Sequence, residues 1–323
     1  MNTALFETLE VQPPTVHAGI TLFPVVGGAT LPAPIGLAGD GIVITEKDVA
    51  EVPVLVAHNP TDSAVLLLEG EVLDGGQQTR TLNVSVLVPA GGTVELPVSC
   101  VEAGRWHGTS RFSRAGYQTS RAVRESKTRG VNRSVRRRAA KMSDQGAVWD
   151  SVDGELARFG VESATRSYAA AMRTAYVAPE QLTAEELAEI EESDRRALEL
   201  DQARRGAVDE LVERGPVPGQ TGVVVAVDGK VVAAELFGTP ELLEARWAEL
   251  VRSILLDARP DEGAEVTVAA AEEFLHGVAT RDTVEAPGVG LGDELHVESE
   301  DLVAQALVWD SALVHASAFA SLN

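Results

Sequence analysis

The chain contains few of the residues from which disulfide bonds and metal sites are built. Its 323 residues include a single cysteine, Cys100, so no disulfide can form within the chain, which suits a reducing compartment. The six histidines are scattered without the spacing of metal ligands, and we assign no metal site. No apolar run reaches the roughly 20 residues of a membrane helix, and the N-terminus lacks the pattern of a secretory signal. We therefore expect a cytoplasmic protein without a membrane segment.

Motifs that would name an enzyme class are also missing. The sequence has no Gly-x-Gly-x-x-Gly after a predicted strand, no phosphate-binding loop ending in Gly-Lys-Ser/Thr, and no Gly-x-Ser-x-Gly around a nucleophile. These absences give no support for a standard nucleotide-binding enzyme or serine hydrolase. The cofactor, if there is one, stays unknown.

The charge of the chain is divided unevenly. Its formal net charge is −22, yet residues 105–141 hold twelve Arg or Lys against one acid, Glu125, which makes +11 there and leaves 15 basic and 48 acidic residues elsewhere, or −33. The basic segment could contact nucleic acid, line a pocket for a phosphorylated small molecule, or pair with acids of its own chain or of a second subunit. The acidic remainder argues against nucleic acid and favours a small anionic ligand.

The pattern of apolar residues predicts an α+β protein with more than one subdomain, since the chain is long for a single core. Residues 1–110 form a predicted antiparallel β-rich subdomain, with short apolar runs separated by turn residues between positions 42 and 98. Residues 111–221 form a predicted helical segment, with a basic helix over 118–142 and a long charged helix from a capping box at 182–187 to Arg214.

Residues 222–323 form a predicted α+β subdomain. Asp228-Gly229 joins two valine-rich runs and indicates a hairpin. Thr239 followed by Pro240 indicates the start of an apolar helix that reaches Leu255. A further helix and three strands complete this part of the prediction.

Three glutamates are the candidate catalytic residues. If Glu69 and Glu71 lie in a strand, its period of two places both carboxylates on one face. They could then bind a metal, act as acid and base, or face water. Glu102, in a polar turn after a valine-rich strand, is the third candidate.

Polar residues around these glutamates are candidates for ligand binding. Gln77, Thr79, Thr81 and Asn83 would share one strand face, which can donate and accept hydrogen bonds toward a ligand or can keep an edge strand from pairing. Cys100 could be a reactive thiol beside Arg105 or a small buried residue. The pair Arg105-Trp106 could stack on or clamp an anion.

Four blocks of the sequence resemble one protein family. They are Leu68–Glu71 leading to Gln78–Asn83; Pro97–Glu102 with Gly104-Arg105-Trp106; Gln145–Trp149; and a C-terminal set, Leu236–Gly238, Trp247, Leu250, Ser253 and His315. These blocks look like the ARPP family, the domain associated with ADP-ribosylglycohydrolase and rhodanese-phosphatase proteins. The resemblance implies a link to ADP-ribose or NAD chemistry and supplies no catalytic residue set. The matching positions that we select as ligand-binding candidates are Gln78, Arg80, Asn83, Cys100, Arg105, Trp106, Gln145 and Trp149.

Three functional hypotheses follow. The first is a module that binds a phosphate-bearing small molecule, such as a nucleotide or an ADP-ribose derivative, in a polar cleft. The second is a hydrolase or transferase that acts on such a ligand with a glutamate as acid or base. The third is a structural or interaction protein, a homo-oligomer joined through its basic and acidic helices.

Overall fold

The computed structural model describes residues 1, 3–36, 41–47, 51–176, 192–258 and 265–321. Six helices lie in these ranges: α1 Arg121–Arg136, α2 Gln145–Arg158, α3 Tyr168–Tyr176, α4 Glu192–Arg214, α5 Pro240–Leu255 and α6 Val268–Thr280. The strands are β1 Glu10–Val11, β2 Thr15–His17, β3 Ile20–Val26, β4 Ile35–Gly36, β5 Val43–Thr45, β6 Val54–His58, β7 Ala64–Leu67, β8 Glu71–Gly75, β9 Arg80–Leu82, β10 Val86–Val88, β11 Thr93–Cys100, β12 Arg111–Gln118, β13 Gln220–Val227, β14 Lys230–Phe237, β15 Thr283–Pro287, β16 Asp293–Glu298, β17 Leu302–Trp309 and β18 Ala312–Ala320. The α+β class with a β-rich N-terminal part is confirmed.

Nine strands form one antiparallel sheet from both ends of the chain. Its order is β1-β3-β13-β14-β18-β17-β16-β15. The ninth strand, β2, pairs with residues 20–22 of β3. The pair β3 and β13 places Phe23 opposite Val224. One face of the sheet packs on α4 and α5, and the other packs on α6. The division at residue 110 stays a prediction, and this sheet joins strands from both sides of it.

A closed barrel of six strands forms the second β unit, in the order β11-β6-β5-β12-β8-β9. Its interior is filled by buried aliphatic side chains, among them Leu55, Leu73 and Leu96. A third, smaller sheet has three strands in the order β10-β7-β4. The barrel closes only because β12, from the basic segment, pairs with both β5 and β8.

Local signals explain where several helices and turns form. The Asp228-Gly229 turn joins β13 to β14, and the Thr239 side chain caps α5 with Pro240 at its first turn, so both predictions are confirmed. The basic helix is shorter than predicted, because Arg111–Gln118 is a strand and Ser120 caps α1. Gly130 lies inside α1 because a Cβ there would come within 2.5 Å of the Asp144 nitrogen.

The predicted capping box at 182–187 lies outside the described residues. Helix α4 ends at Arg214, as predicted. Every helix in the described part of the chain is too short or too polar for a membrane crossing.

Candidate functional site

A polar cleft of about 490 Å³ opens at one end of the barrel, where β8 ends and β12 begins. The loop between β11 and β12 forms one wall, and the segment that leads into α3 forms another. Its lining consists mostly of charged and hydroxyl side chains: Asp74, Gly75, Thr79, Glu102, Arg105, Thr109, Arg111, Phe112, Ser113, Ser163, Thr165, Ser167, Ala169 and Arg173. Three guanidinium groups and two carboxylates therefore face one volume.

Glu102 is a fixed, ionised carboxylate in this cleft. Its Oε2 accepts hydrogen bonds from the Thr79 hydroxyl at 2.9 Å and from Arg105 Nε at 2.8 Å, and its Oε1 accepts one from the Thr165 hydroxyl at 3.2 Å. Burial would raise the pKa of Glu102, but the hydrogen bonds from Arg105 and Thr79 lower it below its ordinary value. A carboxyl group held in this way is a poor proton donor at neutral pH.

Arg105 is held in place by its surroundings. Besides Glu102, its guanidinium donates to the carbonyls of Gly76 and His107, both at 3.0 Å, and to the carbonyl of Gly75 at 3.1 Å. These bonds tie the loop after β11 to the end of β8. The guanidinium is thereby fixed in orientation at the base of the cleft.

Arg111 and Arg173 contribute two further positive charges. Arg111 is the first residue of β12, and Arg173 lies on α3. Both side chains are exposed and line the cleft, and neither has a hydrogen bond or ion pair with another described residue. They are the groups in the cleft that are available to an anion.

Glu69 lies in a sealed ionic network and not in the cleft. Lys127 Nζ is 2.7 Å from its Oε2, and Arg124 Nε is 2.8 Å from its Oε1; all three side chains are buried. Burial alone would raise the pKa of Glu69, but the charges of Arg124 and Lys127 hold it at about 2.

The network continues through Arg124 to the large sheet. Arg124 Nη2 is 2.8 Å from Glu235 Oε1, and the same oxygen lies 2.8 Å from His315 Nε2. His315 Nδ1 is 2.9 Å from the hydroxyl of Ser85, which also accepts the Glu69 backbone N–H at 3.0 Å. This closed ring joins the barrel, α1 and the large sheet.

Glu71 has separate partners. It begins β8, after Gly70 turns the chain with φ +78°, and it pairs with Arg114, which also contacts Glu249 at 3.0 Å. The expectation that Glu69 and Glu71 share one strand face is wrong, because Gly70 lies in a turn between Glu69 and the strand.

The polar run after β8 is buried from Gln78 to Asn83 and does not form an open face. Strand β9 covers only Arg80–Leu82. Gln78 accepts a hydrogen bond from Arg80 at 2.9 Å and donates to the carbonyl of Ala103. Asn83 accepts a bond from Ser99 at 2.6 Å and donates to the carbonyl of Lys141. None of these three candidates lines the cleft, although Thr79 does.

Gln145 and Cys100 are also structural neighbours. The Gln145 side chain makes two hydrogen bonds of 2.8 Å, to the backbone N–H and carbonyl of Cys100. Burial raises the pKa of the Cys100 thiol, which contacts the carbonyl of Glu102 at 2.9 Å. Trp149 packs near Arg166, whereas Trp106 is 61% exposed in the loop that walls the cleft.

The basic segment is matched by acids of its own chain. Arg121 pairs with Asp257 at 3.0 Å and Lys141 with Glu294 at 2.6 Å, in addition to the pairs of Arg114, Arg124 and Lys127. Helix α1 therefore packs against the acidic remainder through specific ion pairs. In the described residues, no group of three or more His, Cys, Asp or Glu is placed to hold a metal ion.

The cleft brings together Glu102 and Arg105 from the predicted set. Trp106 follows Arg105 in the chain but is not among the residues that line the cleft, and Glu69, Glu71, Arg80 and Asn83 lie elsewhere. Arg111, Arg173 and Thr165 were not predicted as site residues. Arg111 had a signal, its place in the basic segment, whereas Arg173 and Thr165 carried none.

The chain belongs to the ARPP-1 family, the ARG and Rhodanese-Phosphatase-superfamily-associated Protein domain, whose family model matches residues 8–319. The match spans nearly the whole chain, and the predicted family is thus confirmed. Neither a curated protein nor a solved structure matches this sequence.

Proposed function

We propose that the protein binds a phosphate-bearing small molecule in the cleft at the end of the barrel. The observation that carries this proposal is the pair Arg111 and Arg173. Both guanidinium groups line one volume from separate elements, and neither has a partner among the described residues. A phosphate between them would accept charge-assisted hydrogen bonds in the two-pronged geometry that arginine favours.

The rest of the cleft supports the same class of ligand. Arg105 is held by Glu102 and by three backbone carbonyls, so it presents a fixed positive charge to an anion in the cleft. The hydroxyl of Ser163 lines the wall and accepts the Ser167 backbone N–H at 2.9 Å, so its own proton can be donated to a sugar or phosphate oxygen. The volume lies within the range of small-molecule sites.

An enzyme that acts on such a ligand is the second hypothesis. Of the three predicted catalytic glutamates, Glu102 alone lines the cleft, and its lowered pKa favours a role in positioning Arg105 over proton transfer. Glu69 is engaged by the buried Lys127, and Glu71 by the half-buried Arg114. Binding is therefore the function we propose, and an ADP-ribose or NAD derivative as the ligand stays a prediction.

Two further proposals concern the compartment of the protein and its assembly. A reducing, cytoplasmic compartment is supported by the single free thiol of Cys100. Assembly with a second copy through the basic and acidic helices stays a prediction, and the ion pairs of α1 within one chain give the basic segment a role that needs no partner.

The test is calorimetric titration with pyrophosphate, ADP and ADP-ribose at low ionic strength. Arg173→Ala should weaken binding about tenfold or more, because it removes a charge-assisted contact. Arg136→Ala is the matched control, since Arg136 is also an exposed helical arginine but lies outside the cleft. The proposal fails if no anion binds at millimolar concentration, or if both variants bind the anions equally well.

A further inference from the structure

A small polar cavity lies between the barrel and the large sheet, and it shares no lining residue with the cleft. Its polar walls come from the segment between β9 and β10 and from strands β16, β17 and β18: Ser85, Glu294, His296, Gln305 and His315. All five side chains are buried. The space open to the centre of a water molecule is about 10 Å³. Polar groups buried in this way are stable only when each one is hydrogen-bonded.

The amide of Gln305 has one orientation that satisfies its neighbours. Asn132 Nδ2 donates to the backbone carbonyls of Val297 at 2.7 Å and Ala304 at 3.1 Å, which identifies the other end of the Asn132 amide, Oδ1, as an acceptor. Gln305 Nε2 donates to that oxygen at 3.2 Å. Asn132 is not among the residues that line the cavity, so the Gln305 nitrogen points away from the cavity and Oε1 faces it.

Gln305 Oε1 is a buried acceptor that has no hydrogen-bond partner in the described part of the chain. Both ring nitrogens of His296 are engaged, by Asn132 Oδ1 at 2.8 Å and by Glu294 Oε2 at 3.0 Å. Both ring nitrogens of His315 and the serine hydroxyl of the cavity are engaged in the ionic network that joins the barrel to the large sheet. Among the described polar side chains around the cavity, none therefore has a hydrogen left to donate to this oxygen.

We propose that the cavity is a binding site for one water molecule, which donates a hydrogen bond to Gln305 Oε1. A buried water needs about 10–15 Å³ of such space and two to four polar partners, and the cavity supplies both. An organic molecule is too large for this volume. The water is an integral part of the joint between the barrel and the large sheet, because its removal leaves a buried acceptor without a donor.

A high-resolution crystal structure of the intact protein tests the site directly. We expect an ordered water in the cavity within about 3.2 Å of Gln305 Oε1. An electron-density map without a peak at this place would overturn the proposal. A Gln305 amide that is turned so that its oxygen bonds to a protein donor would overturn it as well.

Oxygen-17 magnetic relaxation dispersion gives a second test in solution, because it counts the water molecules held inside a protein. Gln305→Met keeps a side chain of similar length and removes the acceptor, so the count should fall by about one. Gln220→Met is the matched control and should keep the count of the parent protein. Gln220 is also buried, at 2%, but both ends of its amide bond to backbone groups of the chain.

The comparison of the two variants decides between the outcomes. An unchanged count in Gln305→Met, or an equal fall in both variants, would contradict a water bound at Gln305. Circular dichroism checks that each variant is folded. If either variant does not fold, the crystal structure of the intact protein decides alone.

Discussion

Lys127 and Glu69 form an ion pair of 2.7 Å in which neither side chain is exposed to solvent. Replacing Glu69 by Gln would leave the ammonium of Lys127 buried without a full counter-charge. We expect Glu69→Gln to lower the free energy of unfolding by about 3–5 kcal/mol, the usual cost of breaking a buried pair from one side. Urea unfolding followed by circular dichroism measures the loss.

The matched control is Glu210→Gln, which breaks the exposed pair of Glu210 with Arg214. Exposed pairs contribute about 0–1 kcal/mol, so this variant should unfold near the urea midpoint of the parent protein. Equal losses for the two variants would contradict the view that burial makes the Glu69 pair important.

The carboxylate of Glu69 should also make the free energy of unfolding sensitive to acid. The pKa of Glu69 is about 2 in the folded protein against an ordinary value of 4.5, so its contribution is present above about pH 4.5 and is lost as the pH falls toward 2. The whole shift corresponds to about 3 kcal/mol. Unfolding free energies measured at several pH values between about 5 and 2 should fall less steeply in Glu69→Gln, and parallel curves would count against this origin.

Gly70 is predicted to be intolerant of a side chain for two reasons. Its φ is +78°, and a Cβ would lie 2.7 Å from Arg124 Nε. Gly91 has a φ of +63° with nothing within 4 Å of its Cβ position, so Gly91→Ala measures the backbone cost alone, about 1–2 kcal/mol. Gly70→Ala should cost more than that in urea unfolding, because Arg124 must also move. A loss no larger than that of Gly91→Ala would mean that Arg124 relaxes freely.

Removing the charge of Glu102 and removing that of Asp74 should have opposite effects on the affinity for pyrophosphate. Asp74→Asn removes a negative charge from the cleft and should strengthen pyrophosphate binding. Glu102→Gln removes one as well, yet it should weaken binding about tenfold, because Arg105 loses the carboxylate that orients it. Adding Arg105→Ala to Glu102→Gln should cause little further loss, since both changes act through one guanidinium. Tighter binding by Glu102→Gln would rule out the positioning role.

Cys100 should be unreactive in the folded protein. Its thiol is fully buried, and burial raises its pKa, so little thiolate is present at neutral pH. An aromatic disulfide reagent at pH 7.5 should label one thiol per chain in denaturant and proceed at least about a hundredfold more slowly without it. Fast labelling of the native protein would show that the β11 end opens readily.

Local signals in the sequence predicted the elements whose stabilising contacts are local. The Asp-Gly hairpin, the capped helix α5 and the end of α4 at Arg214 depend on neighbours within a few residues. Strand β12 was missed because its eight residues, Arg111–Gln118, carry little apolar pattern. It forms a strand because its backbone pairs with β5 and β8 and so closes the barrel. Here tertiary pairing overrides the local propensity of the sequence.

The candidate site was predicted only in part for a related reason. Glu102, Arg105 and Trp106 are close together in the sequence and could be identified as one polar turn. Arg173 comes from a helix about 70 residues later, and its role emerges only when α3 packs beside the barrel mouth. Conversely, residue type made Glu69 a catalytic candidate and Arg80 a ligand-binding candidate, and the fold buries both as internal partners.

The pairing of β3 with β13 has a consequence for how the protein is made. Phe23 faces Val224, so roughly 200 residues are synthesised between the two strands. Until the second strand leaves the ribosome, β3 has an unpaired backbone edge and an apolar face without its sheet. Completion of the large sheet is therefore a late event in biogenesis, and a chain interrupted before residue 220 would expose its first strands to aggregation or to chaperones.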